Sequence, residues 1–390
     1  MKNKISTKLS ELVALIIFIC ICFTLNGNIN KGICAQPNSD SLNSLETGFS
    51  DLLEKTFKEL EVPGAIIGIS LPGYQTFVKT YGVSDLLTGQ AIDENDHMRI
   101  GSITKTFTGT VLLQLVDEGI LKLDDKLSKY FPEFPNGENI TIEELGNMRS
   151  GIYNYSEDDN FQKELLNDFT RSFTPQEVIA IAEKHDPYFA PGTDMHYSNT
   201  NTILLGLIIE KITGVTLQNA IKSRILVPLE MNESIFAVNT DFPEPHAHGY
   251  MYLDSNSIVP EDVTVQNPSW GWSAGAMIST LKDVMVYSKA LATGYFLTDK
   301  TQQQRLKWDT EFTPSNGAWK DKPLKYGFAI ADFNGAIGHN GGIPGFNSFM
   351  GYMPEKEAVI VVLVNMQDNK AGIGPADYIA RVITEKLKDK

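Results

Sequence analysis

The two ends of this chain carry the same kinds of element in mirror order, and no other feature constrains the fold as much. Near the start, Ser44 can cap a helix whose apolar positions are Leu45, Phe49, Leu52, Leu53, Phe57 and Leu60, one face of a 3.6-residue repeat. Pro63-Gly64 stops it. Two β-rich runs follow, Ala65–Leu71 and Thr76–Tyr81, with Pro72-Gly73 between them as a hairpin signal. Near the other end, Tyr326–Phe333, Ser348–Met353 and Ala358–Asn365 have strand composition, punctuated by Asn334-Gly335 and Pro354–Glu357. Pro375 can then open a last helix with Ile379, Val382, Ile383 and Leu387 on one side. Hairpins at both ends need partners for their outer edges, and each can supply the other. The expected architecture is therefore α+β: one antiparallel sheet built from both chain ends, flanked by the terminal helices. The middle carries helix signals instead. This predicts an α/β lobe at about 44–101 and 301–390 and an all-helical lobe at about 102–300, with a cleft where they meet.

The first residues predict an address rather than a fold. Lys2, Lys4 and Lys8 precede an uncharged run from Leu12 to Leu25. As a helix that run would rise about 21 Å, short of a hydrocarbon core of ~30 Å. The expectation is a signal peptide over residues 1–35, cut after Ala35, followed by a polar lead-in at 36–43. A membrane would be touched only through an uncleaved leader. All three cysteines, Cys20, Cys22 and Cys34, lie within the leader. A lipoprotein reading of Cys34 fits poorly, because Ile33 stands where a small residue is needed. The exported protein, extracellular, periplasmic or associated with the cell wall, would then have neither disulfides nor a cysteine nucleophile. A formal net charge of -15 argues against a nucleic-acid partner, since it repels phosphate backbones.

Three short motifs could carry chemistry. Ser102-Ile103-Thr104-Lys105 follows a short extended stretch and opens a helix predicted to be amphipathic. Ser102 there keeps its own N–H for an oxyanion, and Lys105 lies one turn on along the same face. Buried in a cleft, a lysine loses affinity for its proton and can act as a base. Ser279–Lys282 repeats the spacing, so the motif alone also fits a helix cap beside a solvated lysine. Tyr197-Ser198-Asn199 offers a phenol to relay a proton and an amide to orient a carbonyl and the lysine; a turn tyrosine and a capping asparagine are the plainer alternative. His339-Asn340-Gly341-Gly342 places a histidine on or beside a strand. The glycines let a ligand backbone approach, and Gly342 can supply a second oxyanion N–H; the alternative is a glycine-rich turn.

In this order and broad spacing, the three motifs resemble those of the penicillin-recognising serine hydrolases. The likeness covers roughly residues 50–385, with Arg99-Ile100-Gly101, Met148–Ile152 and Ser273–Met277 as flanking phrases. Class C β-lactamases, soluble D-alanyl-D-alanine carboxypeptidases and β-lactamase-like esterases are the branch most alike. By that resemblance Ser102 is the acylated nucleophile, Lys105 its base and Tyr197 the proton relay. Asn199 orients substrate and lysine, and His339, Gly341 and Gly342 form the third binding element. The implied substrate is a peptidoglycan-like D,D-peptide, an ester or a β-lactam, and no cofactor is implied. Histidine at position 339, where class C β-lactamases carry lysine, favours the D,D-peptidase branch. No arginine lies between Arg305 and Arg381, so the cation for a substrate carboxylate is unassigned.

Rival readings also follow from the residues. Gly271-Trp272-Ser273-Ala274-Gly275 has the spacing of a nucleophile elbow, and Asp309 or Asp332 with His339 would complete a triad. Pro268 interrupts the strand such an elbow requires. His246-Ala247-His248 suggests a metal site but lacks a third ligand at suitable spacing. Trp270 and Trp272 could wall the cleft or fill the core. A peptidoglycan-binding or sensor protein without turnover is the non-enzyme alternative.

Overall fold

The computed structural model describes residues 39–389 apart from 255–256 and 315–316, with side chains from residue 48 onward. The expected leader, 1–35, lies outside the described residues. Helix α1 spans Ser39–Leu60, beginning five residues ahead of the expected cap at Ser44. Its face bearing Phe49, Leu53 and Leu60 is buried. Strands β1 (Gly64–Ser70) and β2 (Phe77–Asp85) form the expected hairpin, in register from Gly64↔Gly82 to Ile69↔Phe77.

The two chain ends do build one sheet. It has nine strands, adding β3 (Gln90–Ala91), β4 (Thr310–Phe312), β5 (Leu324–Gly327), β6 (Ile330–Phe333), β7 (Ala336–Ile343), β8 (Phe346–Met353) and β9 (Ala358–Val364). Their order is β3-β2-β1-β9-β8-β7-β6-β5-β4, and the N-terminal hairpin joins the C-terminal strands where β1 runs antiparallel to β9. β9 is a continuous run of apolar residues because both its faces are covered. Val359, Val361 and Leu363 enter one core, whereas Ala358, Ile360, Val362 and Val364 enter the other with Phe49, Leu53, Ile379 and Ile383. Those last residues come from α1 and from the C-terminal helix Pro375–Lys388, so the terminal helices share one face. Each such fully buried side chain stabilises by roughly 1.5–3 kcal/mol.

One expected strand is a hairpin. Tyr326–Phe333 folds back at Phe328-Ala329, with Ala329 at φ 51°, and β5 pairs with β6 through Gly327↔Ile330. Both turn residues are apolar and nearly wholly buried, so no Gly, Pro, Asn or Asp marks the reversal. The middle of the chain is mainly helical, with two small sheets added: a three-stranded one from Met98–Arg99, Ile235–Phe236 and Met277–Ser279, and a pair, Tyr250–Met251 with Glu261–Asp262. Helix Thr104–Asp117 is buried almost all round rather than amphipathic, and Gly119 at φ 70° follows its end. Helix Asn199–Thr213 stops at Gly214, φ 70°, where glycine avoids the left-handed penalty.

Candidate active site

Ser102 sits on a 3₁₀ turn, Gly101–Ile103, leading into helix Thr104–Asp117. The turn is clamped from both sides. Ile100 N donates to Met277 O at 3.0 Å, and Ser348 Oγ donates to Ile100 O at 2.9 Å. Gly101 has φ 48°, and a Cβ there would come within 3.0 Å of Gly342 N. Glycine is required on both counts, and its absent side chain lets the Ser102 turn lie against β7.

Lys105 follows one turn later with no solvent exposure. Its Nζ is 2.9 Å from Ser102 Oγ and donates to Ala274 O at 2.8 Å. Burial pushes its proton affinity well below that of an ordinary lysine. As a neutral amine, Nζ can accept the Ser102 proton across that same contact. Tyr197 lies beside both: the Lys105 Nζ is 4.9 Å from its ring centre, and its phenol is near enough to Ser102 for the serine to influence its proton affinity. Burial raises the phenol's pKa and the neighbouring Ser102 partly opposes this, so Tyr197 holds its proton until it is drawn into a relay.

His339 lies on β7, 1% exposed, beside Tyr197. Nδ1 is 2.6 Å from Asn340 O and Nε2 is 3.1 Å from Tyr326 Oη. With Nδ1–H given to the carbonyl, Nε2 accepts from the tyrosine. Burial, then the charge of Lys105, lowers its pKa to about 3, against the opposing pull of the Asn340 carbonyl. The third motif therefore presents a neutral imidazole. A Cβ on Gly341 would collide with Ile100 O, so only glycine fits. The turn Pro344-Gly345 closes the β7–β8 hairpin at Ile343↔Phe346. Alternation then leaves Gly342, opposite Asn347, with its N–H directed away from β8. Gly342 and the Ser102 turn thus supply two adjacent backbone donors.

Six of the seven expected residues, Ser102, Lys105, Tyr197, His339, Gly341 and Gly342, come together here. Asn199 does not. Its Nδ2 donates to Ser156 Oγ at 2.9 Å and its N–H to Asn154 Oδ1 at 3.0 Å. As the first residue of helix Asn199–Thr213 it is tied to the 153–157 loop, and Ala274 O takes the expected amide's place at Lys105.

Ser102, Tyr197, His339 and Gly342 open into a cavity of about 500 Å³. Its lining includes Trp319, Phe312, Phe333, Tyr326 and Met195, together with Asn340, Asn347, Gly374 and Asp377. Asp377 Oδ1 accepts from Trp319 Nε1 at 3.1 Å, and Oδ2 from Asn340 Nδ2 at 3.1 Å and Asn347 Nδ2 at 3.5 Å. Burial raises its pKa to about 6, against the pull of those three donors. Tyr326, Trp319 and Asp377 escaped sequence reasoning. Tyr326 falls at the start of an expected strand and Asp377 within the expected last helix, and neither stands in a motif that marks a site.

The rival centres are not assembled. Ser273 is fully buried in the short helix Trp272–Gly275, donating to Thr202 O at 2.9 Å. The hydrogen bonds of His339 go to Tyr326 and Asn340 rather than to an aspartate. Trp270 and Trp272 pack on the core and do not wall this cavity. His246 stacks on Phe242 while His248 pairs with Asp262 at 2.7 Å, and among the described residues no group of three such ligands gathers. Ser279, of the second Ser-x-x-Lys, is buried against Ser234.

Comparison with known proteins gives the same picture. Residues 49–383 match the family model described as Beta-lactamase. Protein flp of Staphylococcus aureus strain MW2 is 29% identical over 337 residues, covering 84% of this chain and 64% of that protein. The chain thus spans a little under two thirds of that relative. The putative penicillin-binding protein PbpX of Bacillus subtilis is 27% identical over 271 residues, 69% of this chain and 62% of its own length. Among solved structures, a D-stereospecific amidohydrolase from Streptomyces sp. superposes with a TM-score of 0.77 at 30% identity, covering 88% of this chain and 99% of that one. A D-amino acid amidase from Ochrobactrum anthropi SV3 gives 0.76 at 26% identity, covering 89% and 99%.

Proposed function

The chain belongs to the Beta-lactamase family of serine hydrolases, and from that premise we propose that it is an exported hydrolase cleaving amide bonds next to D-configured residues through an acyl-enzyme on Ser102. The observation that carries this is the 2.9 Å contact between a wholly buried Lys105 and Ser102 Oγ. Ser102 Oγ attacks the carbonyl carbon as its proton passes to Lys105 Nζ. The N–H groups of Ser102 and Gly342 hold the oxyanion. Tyr197 then passes a proton to the leaving nitrogen, the C–N bond breaks, and the acyl group stays on Ser102. Water attacks the ester next, with Tyr197 and Lys105 taking its proton and returning one to Ser102. His339 stays neutral and anchors Tyr326 in the wall.

Two substrate readings compete within that chemistry. A D,D-peptide, cleaved as by a D-alanyl-D-alanine carboxypeptidase, fits the histidine of the third motif and the penicillin-binding relatives. A D-amino acid amide fits the structural neighbours and the cavity, where no lysine or arginine is among the described lining residues to meet a C-terminal carboxylate. We favour the second on that ground. The leader supports export, and sequencing the N-terminus of secreted protein tests cleavage after Ala35. For the catalytic reading, the test is incubation with a p-nitrophenyl ester and a fluorescent penicillin, followed by mass mapping. An adduct at Ser102 is the expected result. Binding of cell-wall peptides with no adduct from any ester or β-lactam would leave only the sensor reading.

A further inference from the structure

The lining of the Ser102 cavity carries the opposite charge from the one a carboxylate substrate requires. Asp377 lines it on the first turn of the C-terminal helix, 7% exposed, and the described lining includes no cationic side chain. A carboxylate has about four lone-pair sites. Trp319, Asn340 and Asn347 occupy three of them, one on Oδ1 and two on Oδ2. One acceptor site remains on Oδ1. The three donors also fix the group: Asn340 lies between the two third-motif residues His339 and Gly341, and Asn347 donates to Gly341 O at 3.1 Å. The carboxylate is therefore held rigidly relative to the oxyanion donors. Trp319 touches it directly, Phe312 and Phe333 add apolar surface to the same cavity, and Asp368 adds a second acid to the lining. A negative net charge of 15 over the whole chain favours the approach of a cation.

We propose that Asp377 forms a subsite for a substrate ammonium group, so that the enzyme selects amides of residues with a free amine and an apolar or aromatic side chain, and rejects substrates ending in a carboxylate. This rests on the acyl-enzyme reading of Ser102. The ammonium donates to the open Oδ1 site and lies against the Trp319 indole, an arrangement that also suits a cation over an aromatic face. The substrate's side chain fills the aromatic wall, and its carbonyl reaches Ser102. A C-terminal carboxylate, on the leaving-group side of the scissile bond, would enter the same cavity with the charge of Asp377 and no cationic lining residue to meet it. N-acylation of the substrate would remove the charge and add bulk where the ammonium sits.

The test compares three substrates at pH 8 on the whole protein: D-phenylalanine amide, N-acetyl-D-phenylalanine amide, and a peptide ending in D-Ala-D-Ala. Rates are normalised to Ser102 sites titrated by a neutral p-nitrophenyl ester. The expected kcat/KM for the free amine exceeds each of the others by tenfold or more, and Asp377→Asn collapses that ratio to near one. Wild-type inhibition gives a second measurement that needs no variant: 2-phenylethylammonium is expected to compete at least tenfold better than 3-phenylpropionate. Equal rates on all three substrates, a preference unchanged in Asp377→Asn, or tighter competition by the carboxylate overturns the subsite while leaving Ser102 chemistry intact. Failure of Ser102 to react with the neutral ester overturns the catalytic reading, and the subsite with it.

Discussion

Replacing Asp377 by asparagine is expected to stabilise the folded protein at pH 8 and not at pH 4, even as it removes the ammonium preference. Burial raises this carboxyl from 3.8 to about 6. The folded chain therefore holds the proton more tightly than the unfolded chain does. Stability must fall as pH rises from about 4 to about 6, and stay lowered above that. Each pKa unit corresponds to about 1.4 kcal/mol, so keeping an ionised Asp377 inside costs roughly 3 kcal/mol at pH 8. Asparagine carries no such penalty, but its NH₂ faces donors. One of the bonds from Trp319, Asn340 or Asn347 is lost, at about 1 kcal/mol. The net gain is on the order of 2 kcal/mol at pH 8, turning into a loss of about 1 kcal/mol near pH 4. Urea unfolding of both proteins at the two pH values measures it. If the variant is less stable by the same amount at both, Asp377 is ionised in the fold without penalty, and burial does not dominate its three donors.

Other perturbations probe the catalytic centre. Ser102→Ala is expected to abolish ester labelling by a factor of at least ~10³, whereas Ser273→Ala, which removes only the buried bond to Thr202 O, keeps labelling at Ser102; intact mass spectrometry reads both. Lys105→Arg keeps a cation but cannot shed its proton, so acylation in a single turnover is expected to fall by at least ~10²-fold. His339, with its pKa lowered to about 3, is expected to show no titration in its ring NMR signals between pH 5 and 8; an inflection near 6.5 would contradict its burial beside Lys105. Gly341→Ala drives a methyl into Ile100 O and is expected to lose acylation along with the Ser102–Gly342 alignment, measured by ester labelling.

Much of this was legible because short-range spacing encodes it. Ser102 and Lys105 lie three residues apart at a helix start, and helix geometry places them together whatever surrounds them. Pro375 and Gly214 bound helices for equally local reasons. Asn199 shows where such inference stops. Its spacing from Tyr197 is right, but the neighbouring loop offers Ser156 and Asn154, and the amide bonds there. The Phe328-Ala329 reversal was invisible because neither residue is a turn former. It is stabilised from outside, by Phe328 filling the space that Gly146 leaves.

By itself the sequence determined that both chain ends share one antiparallel sheet and that Ser102 and Lys105 form a pair. Periodicity, punctuation and composition suffice for such statements, since they concern neighbours along the chain. Only the tertiary structure decided how basic Lys105 is, which amide reaches it, and what charge lines the cavity. Those are properties of a cavity assembled from segments as distant as Ser102, Trp319, Asn340 and Asp377. Desolvation and hydrogen-bond geometry act across that space, and no spacing along the chain records it.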